Sequence, residues 1–172
     1  MDKKIIITGR TNVKKFTQSI PKREVSKTWN LDDTELAHKE QITCVNKLCL
    51  QNTFLHQTIY QREIRNKKRG YLEQDKKKQL YNADKFVTIE HMIDLLVASK
   101  LQCYYCRKSV FVLYKNVRDN AQWTLDRIDN NIGHTIGNCV ICCLRCNIQR
   151  RTMNDEKFRF SKQVRVIKSN TS

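Results

Sequence analysis

WTLDRIDNNIGHTIGNCVICCLRCN, residues 123–147, gathers four of the chain's eight cysteines, two aspartates, two of its four glycines and a histidine into 25 positions. WTLDRI (123–128) reads as a strand. DNNIGHTIG (129–137) holds two glycines and two asparagines and reads as a loop or turn. NCVIC (138–142) fits a short second strand, and LRCNIQRRTM (144–153) fits a basic helix.

The cysteines reach outward from this stretch. Cys103-Tyr-Tyr-Cys106 and Cys143-Leu-Arg-Cys146 are two C-x-x-C pairs 36 residues apart, and together they supply four thiolates for one tetrahedral ion. Sulfur ligands suit Zn²⁺, and a closed shell of four leaves no position for chemistry, so the expected site is structural. Cys142 competes with Cys143 for register, but Cys143 keeps the C-x-x-C spacing and leaves Cys139 and Cys142 as small buried hydrophobes. Cys44 and Cys49, with His38 and His56 nearby, form a looser grouping that is read as ordinary thiols.

At 172 residues the chain is expected to form one folded unit. Lys and Arg number 33 against 17 Asp and Glu, a formal charge of +16 spread along the chain, which favours a polyanionic partner. No apolar run approaches the roughly 18 to 20 residues of a membrane span, and no export signal is apparent, which argues against a membrane partner. The expected location is therefore intracellular or virion-associated, where thiols stay reduced and metal binding explains the cysteines better than disulfides.

Residues 1–40 read as a basic arm, and 41–100 as a basic, mainly helical region. Between Arg62 and Lys78 stand eight basic and three acidic residues, with Tyr71 among them and Tyr60 and Tyr81 at either side. Lys67, Lys68 and Arg69 are candidate phosphate contacts there, and the tyrosines could stack on bases. A helix starts after Thr88, which can cap it, and Ile89, Met92, Ile93, Leu96 and Val97 form its apolar face. VFVLY (110–114) reads as a strand. After Asn154 a last helix is expected within 154–172, with Phe160, Val164 and Ile167 on one face.

Residues Leu101 to Met153, roughly a third of the chain, resemble the HNH, or ββα-metal, endonuclease superfamily. The likeness is to its zinc-stapled version with an Asp-Arg-Ile-Asp-Asn core, known from phages and large DNA viruses. Asp126, Gly133, Asn138, Cys143, Cys146 and Asn147 stand in that family's order. The resemblance implies an α+β fold: two antiparallel strands, then a helix, with a divalent ion between the first strand and the helix. By the same resemblance Asp126 and Asn147 would be ligands of Mg²⁺ or Mn²⁺, and Asn138 would brace the loop. The family's usual base, a histidine, is replaced here by Arg127, which stays protonated and suits a phosphate clamp instead. His134, the one histidine of the stretch, is the expected substitute base. Arg145, Arg150 and Arg151 share the helix of Asn147 and are candidate nucleic-acid contacts.

The expected function is metal-dependent hydrolysis of DNA phosphodiester bonds, with DNA as the expected partner and RNA as a possible one. The competing expectation is a zinc-stapled nucleic-acid-binding or packaging protein without catalysis. Oligomeric state is not legible in the sequence.

Overall fold

The computed structural model describes residues 28–164, together with 6, 8–11, 13 and 23–25. Pro21 and much of the basic arm before Thr28 lie outside the described residues, as does Ile167. The architecture is mixed α+β, with helices packed around a two-stranded antiparallel sheet.

Helix α1 (His38–Cys49) buries Gln41, Cys44, Val45 and Leu48, a spacing of i, i+3, i+4 and i+7 that makes one face. Helix α2 (Gln57–Lys77) buries Tyr60, Ile64, Tyr71 and Asp75 along one stripe and leaves most of its basic residues outside. Helix α3 (Ile89–Ala98) starts where Thr88 accepts the His91 N–H at 3.1 Å, and Met92 and Leu96 of its apolar face are fully enclosed.

The expected strand at 110–114 does not form. Pairing is limited to an isolated parallel bridge between Phe111 and Gln122. Beyond it the buried amide of Gln41 takes over: its Oε1 accepts the N–H groups of Val112 and Leu113, and its Nε2 donates to the Leu113 carbonyl.

Strand β1 (Trp123–Arg127) pairs with β2 (Cys139–Cys143), with Trp123 opposite Cys143 and Arg127 opposite Cys139. The outer edge of β1 is covered. The Leu125 N–H donates to Tyr71 Oη on α2 at 2.8 Å, and the Leu125 carbonyl accepts Asn147 Nδ2 at 3.1 Å. Helix α4 (Leu144–Arg150) follows β2 without a loop and is shorter than the sequence reading, because Arg151 takes a left-handed φ of 52° and ends it. Helix α5 (Asp155–Gln163) is capped by Asn154, whose side chain accepts the Lys157 N–H. It buries Phe158 rather than the expected Phe160, which is 71% exposed. Phe158 lies edge-on to Tyr105, and Gln163 Nε2 donates to the carbonyls of Tyr104 and Tyr105, so α5 clamps the first cysteine knuckle.

One hydrophobic cluster runs from Val45 and Ile64 through Leu96 to Trp123 and Ile141, so the N-terminal helices and the cysteine-rich segment share a core. Among the described residues no helix is long and apolar enough to cross a membrane.

Candidate metal centre and cleft

The four thiols of Cys103, Cys106, Cys143 and Cys146 lie within 4.8 Å of one another, and the Cys106 and Cys143 sulfurs are 3.9 Å apart. Zinc at its usual ~2.3 Å from four tetrahedral sulfurs places them about 3.8 Å from one another, so the cluster could hold such an ion after small adjustments. Hydrogen bonding to Cys143 and Cys146 pushes the Cys103 thiol far below its ordinary pKa, and the Cys143 thiol is pushed up to about 11 by the same contact with Cys103. The thiols are strongly coupled, and a bound cation would favour their ionisation together. Cys139 and Cys142 stand outside the quartet. Burial pushes the Cys139 thiol up to about 12 and the Cys142 thiol well above its ordinary range, as suits inert core thiols.

On another side of the sheet is a cleft of about 830 Å³. One wall is the face of α2 that carries Lys67, Gly70, Tyr71 and Gln74, continued by Lys78 just past its end. The other is the face of α4 with Leu144, Asn147 and Ile148, continued by Arg151, and residues 124–127 of β1 form the floor. Asp126, Arg127, His134 and Asn147 all line this cleft.

Three of these side chains share one design: one end is pinned by the scaffold and the other is left unbonded. Asp126 Oδ2 accepts Tyr105 Oη at 2.7 Å and Arg150 Nη1 at 3.0 Å, while Oδ1 has no hydrogen-bond partner among the described residues. Asn147 Nδ2 donates to Thr124 Oγ1 at 3.0 Å and to the Leu125 carbonyl, leaving Oδ1 without a partner there. His134 Nδ1 lies 2.8 Å from Asp75 Oδ1, and its Nε2 is likewise unbonded among the described residues. Burial pushes the His134 pKa below its ordinary value despite the opposing pull of Asp75, so the ring is neutral near pH 7. His134, Asp126 and Asn147 thus each bring to the lining of one cleft a side-chain atom with no hydrogen-bond partner among the described residues.

The loop between the strands is braced from both ends. Arg127 Nη1 donates to the carbonyls of Asn130 and Ile132. Asn138 Oδ1 accepts the Asp129 N–H, and its Nδ2 donates to the carbonyls of Asp129 and Gly133. Gly133 is required by close approach: a β-carbon there would stand 2.5 Å from the Leu80 carbonyl oxygen and 2.8 Å from Asp75 Oδ2. We expect Gly133→Ala to cost about 1–3 kcal/mol as the loop is forced off α2. A urea midpoint equal to wild type would show that the loop and α2 part freely.

The basic candidates divide. Arg145 and Arg151 are exposed, whereas Arg150 is 2% exposed and donates inward to Asp126 Oδ2 and to the carbonyls of Arg127 and Ile128. Lys67 is half-buried, with its ammonium on Gln122 Oε1 and the Trp123 carbonyl, and burial lowers its pKa to about 8. Lys68 stands over the Phe86 ring, and Arg69 is exposed. Tyr60 and Tyr71 are buried, and Tyr81 sits edge-on to Phe86. His38 and His56 bond the Leu101 carbonyl and Glu35, well separated in role from the cysteine quartet.

Sequence reading missed Asp75, Tyr71 and Tyr105 as parts of the cleft's support. The one local signal was Asp75 itself, an acid directly before three lysines on a basic helix.

No family model and no solved structure matches the chain. An uncharacterized protein of Acanthamoeba polyphaga mimivirus is 37% identical over 73 residues, which is 42% of this chain. The match spans 12% of that protein's length, so what the chain resembles is a short part of a much longer viral protein.

Proposed function

We propose that the protein is a metal-dependent endonuclease of the HNH type that hydrolyses DNA phosphodiester bonds at the cleft between α2 and α4. The observation that carries this reading is the convergence of Asp126, Asn147 and His134, each anchored at one end and free at the other, on one cleft. Two unbonded oxygens are a donor set that fits Mg²⁺ or Mn²⁺, so Asp126 Oδ1 and Asn147 Oδ1 would hold the ion. When bound, it supplies charge stabilisation for the phosphoryl oxygens and the leaving 3′ oxygen.

The chain's own residues do the rest. His134 Nε2 takes a proton from the water that attacks phosphorus, the P–O3′ bond breaks with its electron pair going to O3′, and O3′ takes up a proton from solvent water, leaving 5′-phosphate and 3′-hydroxyl ends. Arg127 keeps Nε and Nη2 free of hydrogen bonds to the described residues and lines the cleft, where a guanidinium stabilises charge growing on the phosphate. Lys78 and Arg151, exposed on opposite walls, suit the flanking backbone.

A second reading, a nucleic-acid-binding module without catalysis, has one observation in its favour. The Asp126 charge is already matched by Arg150, so the carboxylate has a structural role whether or not an ion binds. Supercoiled plasmid separates the two. Mg²⁺- or Mn²⁺-dependent nicking or linearisation is expected, abolished by excess EDTA. His134→Ala should slow it about 10²- to 10⁴-fold, and Asp126→Asn, which keeps the contact shape with Tyr105, by at least about 10²-fold. Tight plasmid binding with no cleavage under either ion sinks the nuclease and leaves the binding module.

A further inference from the structure

Asp75 is an acid with 0% exposure on a helix whose next three residues are lysines, and its carboxylate is turned away from all of them toward the loop that carries His134. A buried carboxylate is costly unless both oxygens are occupied. Here both are occupied by the same residue: Oδ2 accepts the His134 main-chain N–H at 2.6 Å, and Oδ1 lies 2.8 Å from the His134 ring Nδ1.

The two contacts are not equivalent. A main-chain N–H can only donate, so it fixes which oxygen faces it and leaves the other for the ring. A carboxylate has only acceptors to offer, so the ring nitrogen facing it must carry the hydrogen. In a neutral imidazole the other nitrogen, Nε2, then holds the lone pair. Tyr71, one turn before Asp75 on α2, stacks on the ring at 4.5 Å with an interplanar angle of 26° and sets its plane. The missing β-carbon of Gly133 lets the loop come close enough for both contacts.

We propose that Asp75 is a positioning residue that locks His134 in the Nδ1–H tautomer, so that Nε2 faces the cleft as an acceptor ready to take a proton. The proposal rests on the nuclease reading for its catalytic consequence but not for the tautomer. It also places a functional residue on α2, outside the strand–loop–strand–helix unit, so that segment would not carry a competent base if excised.

The substitution that tests it is Asp75→Asn, which keeps shape and removes charge. The carbonyl oxygen of the introduced amide must face the His134 main-chain N–H, because an amide NH₂ there would meet another donor. The NH₂ group is then presented to Nδ1, which can accept only in the Nε2–H tautomer, and the base loses its lone pair. In a serine protease this kind of tautomer error is the established result of an Asp-to-Asn change beside the catalytic histidine.

The experiment uses zinc-loaded full-length protein with ¹⁵N-labelled histidine, with the His134 ring signals assigned by their loss in His134→Gln. Wild type is expected to show a protonated Nδ1 and an unprotonated Nε2, and Asp75→Asn the reverse. Plasmid cleavage should fall about 10²- to 10⁴-fold in Asp75→Asn, in kcat rather than in plasmid affinity. A wild-type ring that is mainly Nε2–H overturns the proposal without any variant. A reversed tautomer with undiminished cleavage overturns the catalytic role of the pair. No cleavage by wild type with either ion brings down the nuclease reading, and the catalytic role with it, while the spectrum still decides whether Asp75 sets the tautomer.

Discussion

Protein purified with zinc at its four cysteines and then stripped of it should lose the cooperative melt of its C-terminal half. A structural zinc site contributes on the order of 10 kcal/mol in small domains, more than most domains have in reserve. Apart from the core it shares with the N-terminal helices, the region's own elements are slight. A two-stranded sheet is marginal alone, α4 has only seven residues, and α5 is fastened largely to the knuckle through Tyr104 and Tyr105. Because Trp123 and Leu125 lie in the same core as Ile64 and Tyr71, the loss should spread into α2. Circular dichroism melts before and after chelation, with metal content measured in both, decide it. An unchanged melt after removal of verified zinc would show that hydrophobic packing alone carries the fold.

Arg150→Ala should be the most damaging single change outside the cysteines, at about 3–5 kcal/mol. The guanidinium joins three oxygens, Asp126 Oδ2 and the carbonyls of Arg127 and Ile128, at 2.7–3.0 Å. Its removal leaves a buried carboxylate with Tyr105 as sole partner and two carbonyls without donors. Arg150→Lys should rescue only part of the loss, since a single ammonium cannot match a planar fork spread over three acceptors. Urea midpoints at unchanged slope measure the cost. A loss below about 1 kcal/mol would mean that water takes over the arginine's contacts, as it does at exposed ion pairs.

The cysteine quartet, the two strands and the Thr88-capped helix were legible in the sequence because each is a short-range pattern: a spacing, a run, a cap. What failed did so through distant partners. In the apolar run at 110–114 the backbone of Val112 and Leu113 is taken by Gln41, some 71 positions from Val112. Arg150 looked like an outward-facing neighbour of Arg145 and Arg151, and nothing local says that its side chain finds Asp126 across the helix–strand contact. Phe160 and Phe158 are equally apolar, and only the ring of Tyr105 selects Phe158. Asp75 meets His134 across 59 positions, a pairing that neither residue's surroundings advertise.

The covered edge of β1 sets an order on synthesis. Tyr71 and Asp75 leave the ribosome first, then the floor of the cleft, then His134, and only last Asn147, which seals the Leu125 carbonyl. Until Cys146 and Asn147 have emerged, a growing chain has one wall and an open strand edge. A chain stalled before that point therefore has no complete cleft, and it exposes instead a strand free to pair with a neighbour.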